Sequence, residues 1–359
     1  NNRQQLYEVG YITGHGEHAL RSNPYAQSFT ELGCEGLRNL LSDIYSIKEI
    51  NLAEEEIPAS LKSIIINGPV MPFSDEELNK ISSFISNGGN VLFFIDPLKE
   101  LPAEQNSMPQ YTANHTGLET ILDGFGISIE PKFVFDDKCV IQYQNTGKQI
   151  FNWAPIVEKN NVAKKHPVTK NLGGIIFYTM GPVSIDESKA KNAVILAKTS
   201  DKSWATDENI ILYPGYVNPP SDSTEFGPRN IAVAVQDSSK IVVVSSSIIT
   251  TDILIRSEES ATELFVKNAV DYVNDNDDFC EMRTKGTRLD FISIKSEWAA
   301  LAIKLLNEFG LALVVVIIGF IAWRMKITRQ YLITQKYNPD DERMIAKKSD
   351  SKNNGEQND

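Results

Sequence analysis

The sequence predicts an α/β fold: a doubly wound, mostly parallel sheet with inserted strands, followed by one C-terminal transmembrane helix. Three observations predict it. Continuous apolar runs such as "SIIIN" and "NVLFFI" alternate with amphipathic helical stripes, and strands apolar on both sides belong to a sheet covered on both faces. The second half is richer in strands, among them "NAVILAKTS", "IAVAVQ" and "KIVVVSSS". Near the end, Phe309–Trp323 carries no charge at all.

Taken in order, "VGYIT" (Val9–Thr13) is a short apolar strand that runs into the turn "GHGEH". In "SFTELGCEGLRNLLSD", Phe29, Leu32, Leu37, Leu40 and Leu41 follow a helical period. "YSIKEINL" is the second strand and "SIIINGP" the third, closed by Gly68-Pro69. Ser74 followed three residues later by Glu77 forms a capping box. Leu78, Ile81, Phe84 and Ile85 are the apolar stripe of that helix, and Gly88-Gly89 supplies a left-handed C-cap. "NVLFFIDP" is the fourth strand. A short helix, "GLETILDGFG", and a strand, "KFVFDD", extend the pattern.

In the second half, "GGIIFYTMGPVSI" reads as a strand and "SATELFVKNAVDYVND" as an amphipathic helix. "ILYPGYVNPPSDSTEFGPRN" is a long loop rich in Pro, Gly and Ser. "KIVVVSSSIITTDIL" resembles another parallel strand ending in a polar turn. The soluble part, residues 1–290, therefore reads as one large unit, divisible into a core (1–150) and a strand-rich continuation (151–290).

Extended to Leu305–Met325, the apolar segment has the length a bilayer core requires, about 20 residues. Arg324, Lys326, Arg329 and Lys336 follow it with no acidic residue before Asp340. By the positive-inside rule this flank is cytoplasmic and the large domain extracytoplasmic. Residues 291–304 are expected to be a linker and 326–359 a disordered tail. The sequence begins "NNRQQLYEVG", without Met, so any signal peptide or first membrane anchor would lie upstream.

Composition narrows the function. Apolar residues make up 42% and charged residues 23%, as in globular proteins. The net charge of −12 argues against a nucleic-acid partner. Cys34, Cys139 and Cys280 are sparse, odd in number and lack metal-type spacing.

Ligand sites of open parallel sheets form at the carboxyl ends of the strands. Three polar turns fall there: Gly14–His18, Asp96-Pro97, and Ser245–Ser247 with Asp252. Thr13, His15, Glu17, Asp96 and Ser246 are the candidate ligand- or partner-binding residues. His15, Glu17 and His18 lack the i, i+4 spacing of a helical metal site, so no metal is expected. "TGHG" lacks the lysine and the spacing of a phosphate loop, so no nucleotide cofactor is expected either. No cysteine or serine lies on a GxSxG-type elbow, which leaves no marked nucleophile.

The order "YITGHGEHAL", "SIIINGPVMPFSDEELNKISSFISNGGNVLFFIDP", "HPVTKNL", "FGPRNIAVAV", "KIVVVSSS", then one apolar span with a basic flank, resembles the gliding-motility-type ABC transporter auxiliary proteins, the GldG family. The resemblance covers about residues 7–325. It implies a fold like class I glutamine amidotransferases without their catalytic cysteine, no enzymatic activity, and partnership with an ABC ATPase and a multi-span permease in the bacterial inner (cytoplasmic) membrane. One departure is "SSSIITTD", where family members often carry a Gly-Asp turn. Two alternatives stay open: a degenerate amidotransferase-like hydrolase using His15 and Glu17, and an envelope- or carbohydrate-binding anchor independent of a transporter.

Overall fold

A computed structural model describes residues 6–101, 109–144, 147–207, 210–256, 260–286 and 297–337. The chain divides into two compact units, Asn1–Asp290 and Phe291–Asp359. The first contains strands β1 (Tyr7–Thr13), β2 (Tyr45–Asn51), β3 (Ser63–Asn67), β4 (Asn90–Phe94), β5 (Leu98–Leu101), β6 (Gln110–Ala113), β7 (Ile127–Ile129) and β8 (Phe133–Asp136). These are followed by β9 (Cys139–Gln144), β10 (Gly147–Val157), β11 (Ile175–Ile176), β12 (Val183–Ile185), β13 (Ala193–Lys198), β14 (Ser203–Thr206), β15 (Asn230–Gln236) and β16 (Lys240–Val244). Its helices are α1 (Glu35–Leu41), α2 (Asp75–Ser86), α3 (Leu118–Gly124), α4 (Ala261–Val273) and α5 (Asp277–Gly286). The second unit contains α6 (Glu297–Tyr337).

The central sheet has seven strands in the order β13-β15-β16-β4-β3-β1-β2. From β16 to β2 every neighbouring pair is parallel; β15 runs antiparallel to both β16 and β13. The sheet is thus mixed but mostly parallel, as the unbroken apolar runs predict. Alternate side chains feed two cores. Val9, Tyr11, Ile65, Leu92, Phe94 and Val242 pack with Leu37 and Leu41 of α1 and Phe265 of α4. Ile12, Ile64, Ile66, Val91, Phe93 and Val243 pack with Ile81 and Ile85 of α2 and Leu118 of α3. A smaller aromatic cluster, built on Phe133, Phe135, Trp153 and Trp204, joins β8, β10 and β14.

The strand order reverses between β1 and β3. The chain leaves β1 toward β2 on one side and reaches β4 from β3 on the other, and α1 and α2 cover opposite faces. Such a switch point opens a crevice at the strands' carboxyl ends. The turns at Gly14–His18 and Gly68-Pro69 occupy it.

The α2 capping box forms as expected. The Ser74 hydroxyl accepts the Glu77 N–H, and Glu77 Oε2 accepts the Ser74 N–H at 2.8 Å. Gly88, at φ 87°, ends the helix in the left-handed region.

Four expectations need correction. The helical stripe from Phe29 yields only a 3-10 turn, Phe29–Glu31, before α1 begins at Glu35. The chain doubles back there: Cys34 N–H donates to Ala19 O at 2.9 Å, and a Cβ on Gly33 would lie 2.0 Å from Arg21 O. The expected strand over Gly173–Ile185 splits into β11 and β12, because Thr179 takes a φ of 47° and breaks the extended backbone.

The other two corrections concern the C-terminal unit. Residues 297–304 of the expected linker are helical, whereas 291–296 lie outside the described residues. The helix also continues past 325 to Tyr337, since the sequence from Arg324 to Tyr337 contains neither Gly nor Pro. The expected tail beyond 337 lies outside the described residues. Among the described residues no single helix is long and apolar enough to cross a membrane. The stretches Leu301–Gly310 and Ala312–Tyr337, bent by 49°, together reach that length and composition.

Candidate functional site

The carboxyl ends of β1, β3, β4 and β16 carry a linked set of buried polar groups. After β1 the chain turns through Gly14 and Gly16, both at positive φ. His18 follows, 2% exposed, with its backbone N–H donating to Asn67 O at the end of β3. Its ring spans two elements. Nδ1 lies 2.8 Å from Leu32 O, and Nε2 lies 2.7 Å from Ser247 Oγ in the turn after β16. Ser247 also reaches Asp96 after β4: its N–H donates to Oδ1 at 2.8 Å, and its hydroxyl meets Oδ2.

Proton counting constrains this chain. A carbonyl only accepts, so His18 Nδ1 must donate to Leu32. Filling the two remaining bonds then takes one proton beyond those of a neutral imidazole, a hydroxyl and a carboxylate. Either His18 is an imidazolium that donates to Ser247, which donates to ionised Asp96, or Asp96 is protonated and donates to Ser247, which donates to neutral His18. Burial favours the uncharged arrangement. It lowers His18 to about 4, against the raising effect of the Leu32 bond. It raises Asp96 to about 6, against the lowering effect of the two Ser247 bonds.

A second polar cluster lies beneath the chain. Tyr11 OH donates to His18 O at 2.6 Å, Asn67 Nδ2 donates to Tyr11 OH and Thr250 Oγ1, and Thr250 Oγ1 contacts Ser247 O at 2.8 Å. Cys34 sits among these groups, fully buried, and burial raises its thiol to about 12.

His15 and Glu17 belong to a separate group. The His15 ring stacks on Phe73 at 3.7 Å and is 6% exposed. Its Nε2 lies 3.2 Å from Glu77 Oε1 and its Nδ1 3.5 Å from Glu17 Oε1. Glu17 Oε2 accepts the His15 backbone N–H at 2.7 Å. Burial raises the Glu17 carboxyl above its ordinary value. Burial also pushes Glu77 upward, but the Ser74 bonds and His15 outweigh it and hold Glu77 below its ordinary value. This group fastens the β1 turn to the first turn of α2.

The five residues picked from sequence therefore do not meet in one place. Asp96 stands in the His18–Ser247 chain. His15 and Glu17 form the buried clamp with Glu77 and do not line an open surface. Thr13 closes β1 opposite Asn51. Ser246 is fully buried with its hydroxyl on Tyr178 O, so Ser247 is the residue that joins Asp96. His18 and Ser247 were missed as an interacting pair because 229 positions separate them. The only local signal was that each stands in a polar turn after a strand. Among the described residues no group of three His, Cys, Asp or Glu is arranged to hold a metal ion.

Two cavities flank the chain. On the Leu32 side, the segment after β1, strands β5 and β6, the segment between β14 and β15 and the turn after β16 line a cleft of about 410 Å³, with Phe29, Leu32, Glu100, Tyr111, Tyr213 and Ile253 among its residues. On the Asp96 side is a smaller cavity of about 140 Å³ that reaches toward α3 and β7. A further depression, about 710 Å³, lies at the amino end of β3 and β4, around Lys62 and Gly89, away from this chemistry.

A sheet with this strand order, carrying its polar turns at the carboxyl edge, defines an α/β protein with a switch-point crevice. The model of the ABC-type uncharacterized transport system family matches residues 7–280, and the chain belongs to that family. No curated protein matches it in sequence. Among solved structures it is similar to the mmIFT52 N-terminal domain, with a TM-score of 0.49 and 13% identity over 74% of this chain and 97% of that one. It is similar to a ThuA-like protein from Parabacteroides merdae, with a TM-score of 0.38 and 11% identity over 76% and 91%. A third is PurLQS from Thermotoga maritima, with a TM-score of 0.35 and 9% identity over 75% and 100%.

Proposed function

We propose that the protein is a membrane-anchored, non-catalytic accessory subunit of an ABC transport complex of the gliding-motility type, working with an ABC ATPase and a multi-span permease. The family match carries the transport assignment. The finer reading places the first unit outside the bacterial cytoplasmic membrane and the C-terminus inside.

The observation that best supports a non-catalytic role is that the hydroxyl and thiol groups at the crevice are closed in. The turn after β3 is Gly68, at φ 71°. A Cβ there would lie 2.8 Å from Ser247 Oγ and 2.9 Å from His18 Cδ2, so those two side chains leave no room for a larger residue. Ser247 is itself fully buried and bonded on both sides. The three cysteines are buried, with thiols raised to about 12, 11 and 12, so thiolate chemistry is suppressed.

Anchoring is supported by α6. Phe309, Leu313, Val315, Val316, Ile318 and Phe320 are all more than half exposed. Each large apolar side chain left in water forgoes about 1.5–3 kcal/mol of burial, a cost that a lipid environment removes. Arg324, Lys326, Arg329 and Lys336 then mark the cytoplasmic side.

Because the native cysteines are buried, single cysteines introduced at exposed positions report topology cleanly. Ser188→Cys should react with a membrane-impermeant maleimide in intact spheroplasts, and Gln335→Cys only after permeabilisation. The reverse pattern rejects the orientation. The transport assignment itself is tested by co-purification with the ATPase and permease.

A further inference from the structure

We propose that the 140 Å³ cavity beside Asp96 is a binding site for a small primary ammonium ligand with a short aliphatic body. Its polar lining comes from Asp96, Asn114, His115, Thr116, Glu119 and Ser128, and its walls are apolar, with Ile95, Leu118, Leu122 and Ile127 among them. Neither lysine nor arginine lines it.

The key group is Asn114, 6% exposed. Its Nδ2 donates to Pro69 O at 2.9 Å and to Asp96 O at 3.2 Å. Those two carbonyls fix the amide orientation, because an amide oxygen could not donate to them. Oδ1 is left buried and without a hydrogen-bond partner among the described residues. A buried acceptor without a donor is unfavourable, and a ligand that donates relieves it.

The neighbouring acceptor is the Asp96 carboxylate. Ser247 bonds each of its oxygens once, and a carboxylate oxygen has room for a second donor. Glu119, also in the lining, accepts the Thr116 and Gly117 N–H groups at 3.0 and 2.6 Å. The site thus offers acceptors and negative charge. An ammonium group brings three donors and a positive charge; a carboxylate or phosphate would be repelled. Burying the ammonium requires a paired charge, which Asp96 supplies in its ionised form, the state that an incoming cation favours over the neutral carboxyl of the empty site. A dry cavity of about 150 Å³ accepts a benzene-sized guest, so this one takes a body of about six non-hydrogen atoms.

The proposal stands apart from the transport reading, since a ligand site here does not require an ATPase or a permease. The test is calorimetric titration of the full chain in detergent with n-butylammonium chloride, n-butanol and sodium butyrate at millimolar concentrations. Butylammonium should bind at least about tenfold tighter than butanol, with no heat from butyrate. Asp96→Asn should weaken butylammonium by about tenfold or more. Because Asp96 also supports the fold, Ile129→Phe is the second variant: it fills the cavity from its wall, leaves the polar groups in place and should abolish binding.

A further arm uses Nα-acetyl-lysine methylamide. Binding of both cations assigns the ammonium to a protein side chain, and binding of butylammonium alone to a free amine; either supports the site. Equal titration of butylammonium and butanol, no binding of either, or binding that survives Ile129→Phe overturns it and leaves the cavity to water.

Discussion

The Ser247 hydroxyl lies 2.7 Å from His18 Nε2 and on its other side meets Asp96 Oδ2, closing a hydrogen-bonded chain across the carboxyl ends of β1, β4 and β16. The three residues come from three separate turns, so the chain fixes those turns relative to one another.

Ser247→Ala removes the shared partner of two buried groups. Each unsatisfied group costs about 1–3 kcal/mol, so this variant should lose about 2–6 kcal/mol. Ser246→Ala breaks one bond to the Tyr178 carbonyl and should lose about 1 kcal/mol. Urea unfolding of the solubilised chain measures both. Equal losses would contradict the assignment of Ser247 as the connecting residue.

The pair should also compensate in pH. Asp96, raised from 3.8 to about 6, contributes stability that is complete below pH 3.8 and lost as pH rises through 6. His18, lowered from 6.5 to about 4, contributes stability that is complete above pH 6.5 and lost as pH falls through 4. Between 4 and 6 the slopes oppose, and this pair leaves stability nearly level. His18→Gln should expose the Asp96 slope, with stability falling as pH rises from 4 to 6. Asp96→Asn should expose the His18 slope, with stability falling as pH drops from 6.5 to 4. Thermal midpoints across this range decide it; parallel profiles for all three proteins would refute the coupling.

Gly68 and Gly88 give a controlled comparison. Both hold positive φ, 71° and 87°. A Cβ on Gly68 collides with Ser247 and His18, whereas nothing lies within 4 Å of a Cβ on Gly88. Gly88→Ala should cost about 1 kcal/mol of backbone strain. Gly68→Ala adds overpacking and should cost about 3 kcal/mol or more. Similar denaturation midpoints for the two variants would show that the crevice floor is looser than described.

Glu77 serves two groups at once, as the capping partner of Ser74 and as an acceptor facing His15. Glu77→Ala should destabilise by about 1–2 kcal/mol, the usual range for a lost cap. Its depressed pKa means its contribution is present above pH 4.5 and lost on acidification through its folded value. Glu77→Gln keeps most of the cap but should flatten that acid limb, read from unfolding midpoints below pH 5. An acid limb of unchanged steepness would show that the Ser74 bonds and the His15 contact do not stabilise the Glu77 charge.

Much of the fold was legible because its signals are local. Ser74 and Glu77, three residues apart, announced the start of α2. Gly88 announced its end. The apolar runs of β3, β4 and β16 announced strands buried on both faces. The β9–β10 hairpin was not legible: Gln142, Tyr143 and Gln144 carry no alternating apolar pattern, and pairing with β10 alone makes them a strand. The stripe from Phe29 looked helical, but close approach to Arg21 at Gly33 overrides local propensity. At the site, sequence placed three polar turns at one sheet edge and identified Asp96. It could not choose Ser247 over Ser246, because which of two adjacent side chains faces Asp96 depends on the strand's phase. Nor could it show that His15 turns inward to Glu77 while His18 reaches Ser247.

The central claim, that this chain is an accessory subunit of an ABC transport complex, is tested most directly by affinity purification from its native membrane in mild detergent, followed by mass spectrometry of the intact assembly. The account predicts a complex containing an ABC ATPase and a multi-span permease together with this chain. A chain that elutes alone in every mild detergent, from membranes in which that ATPase and permease are present, would contradict it.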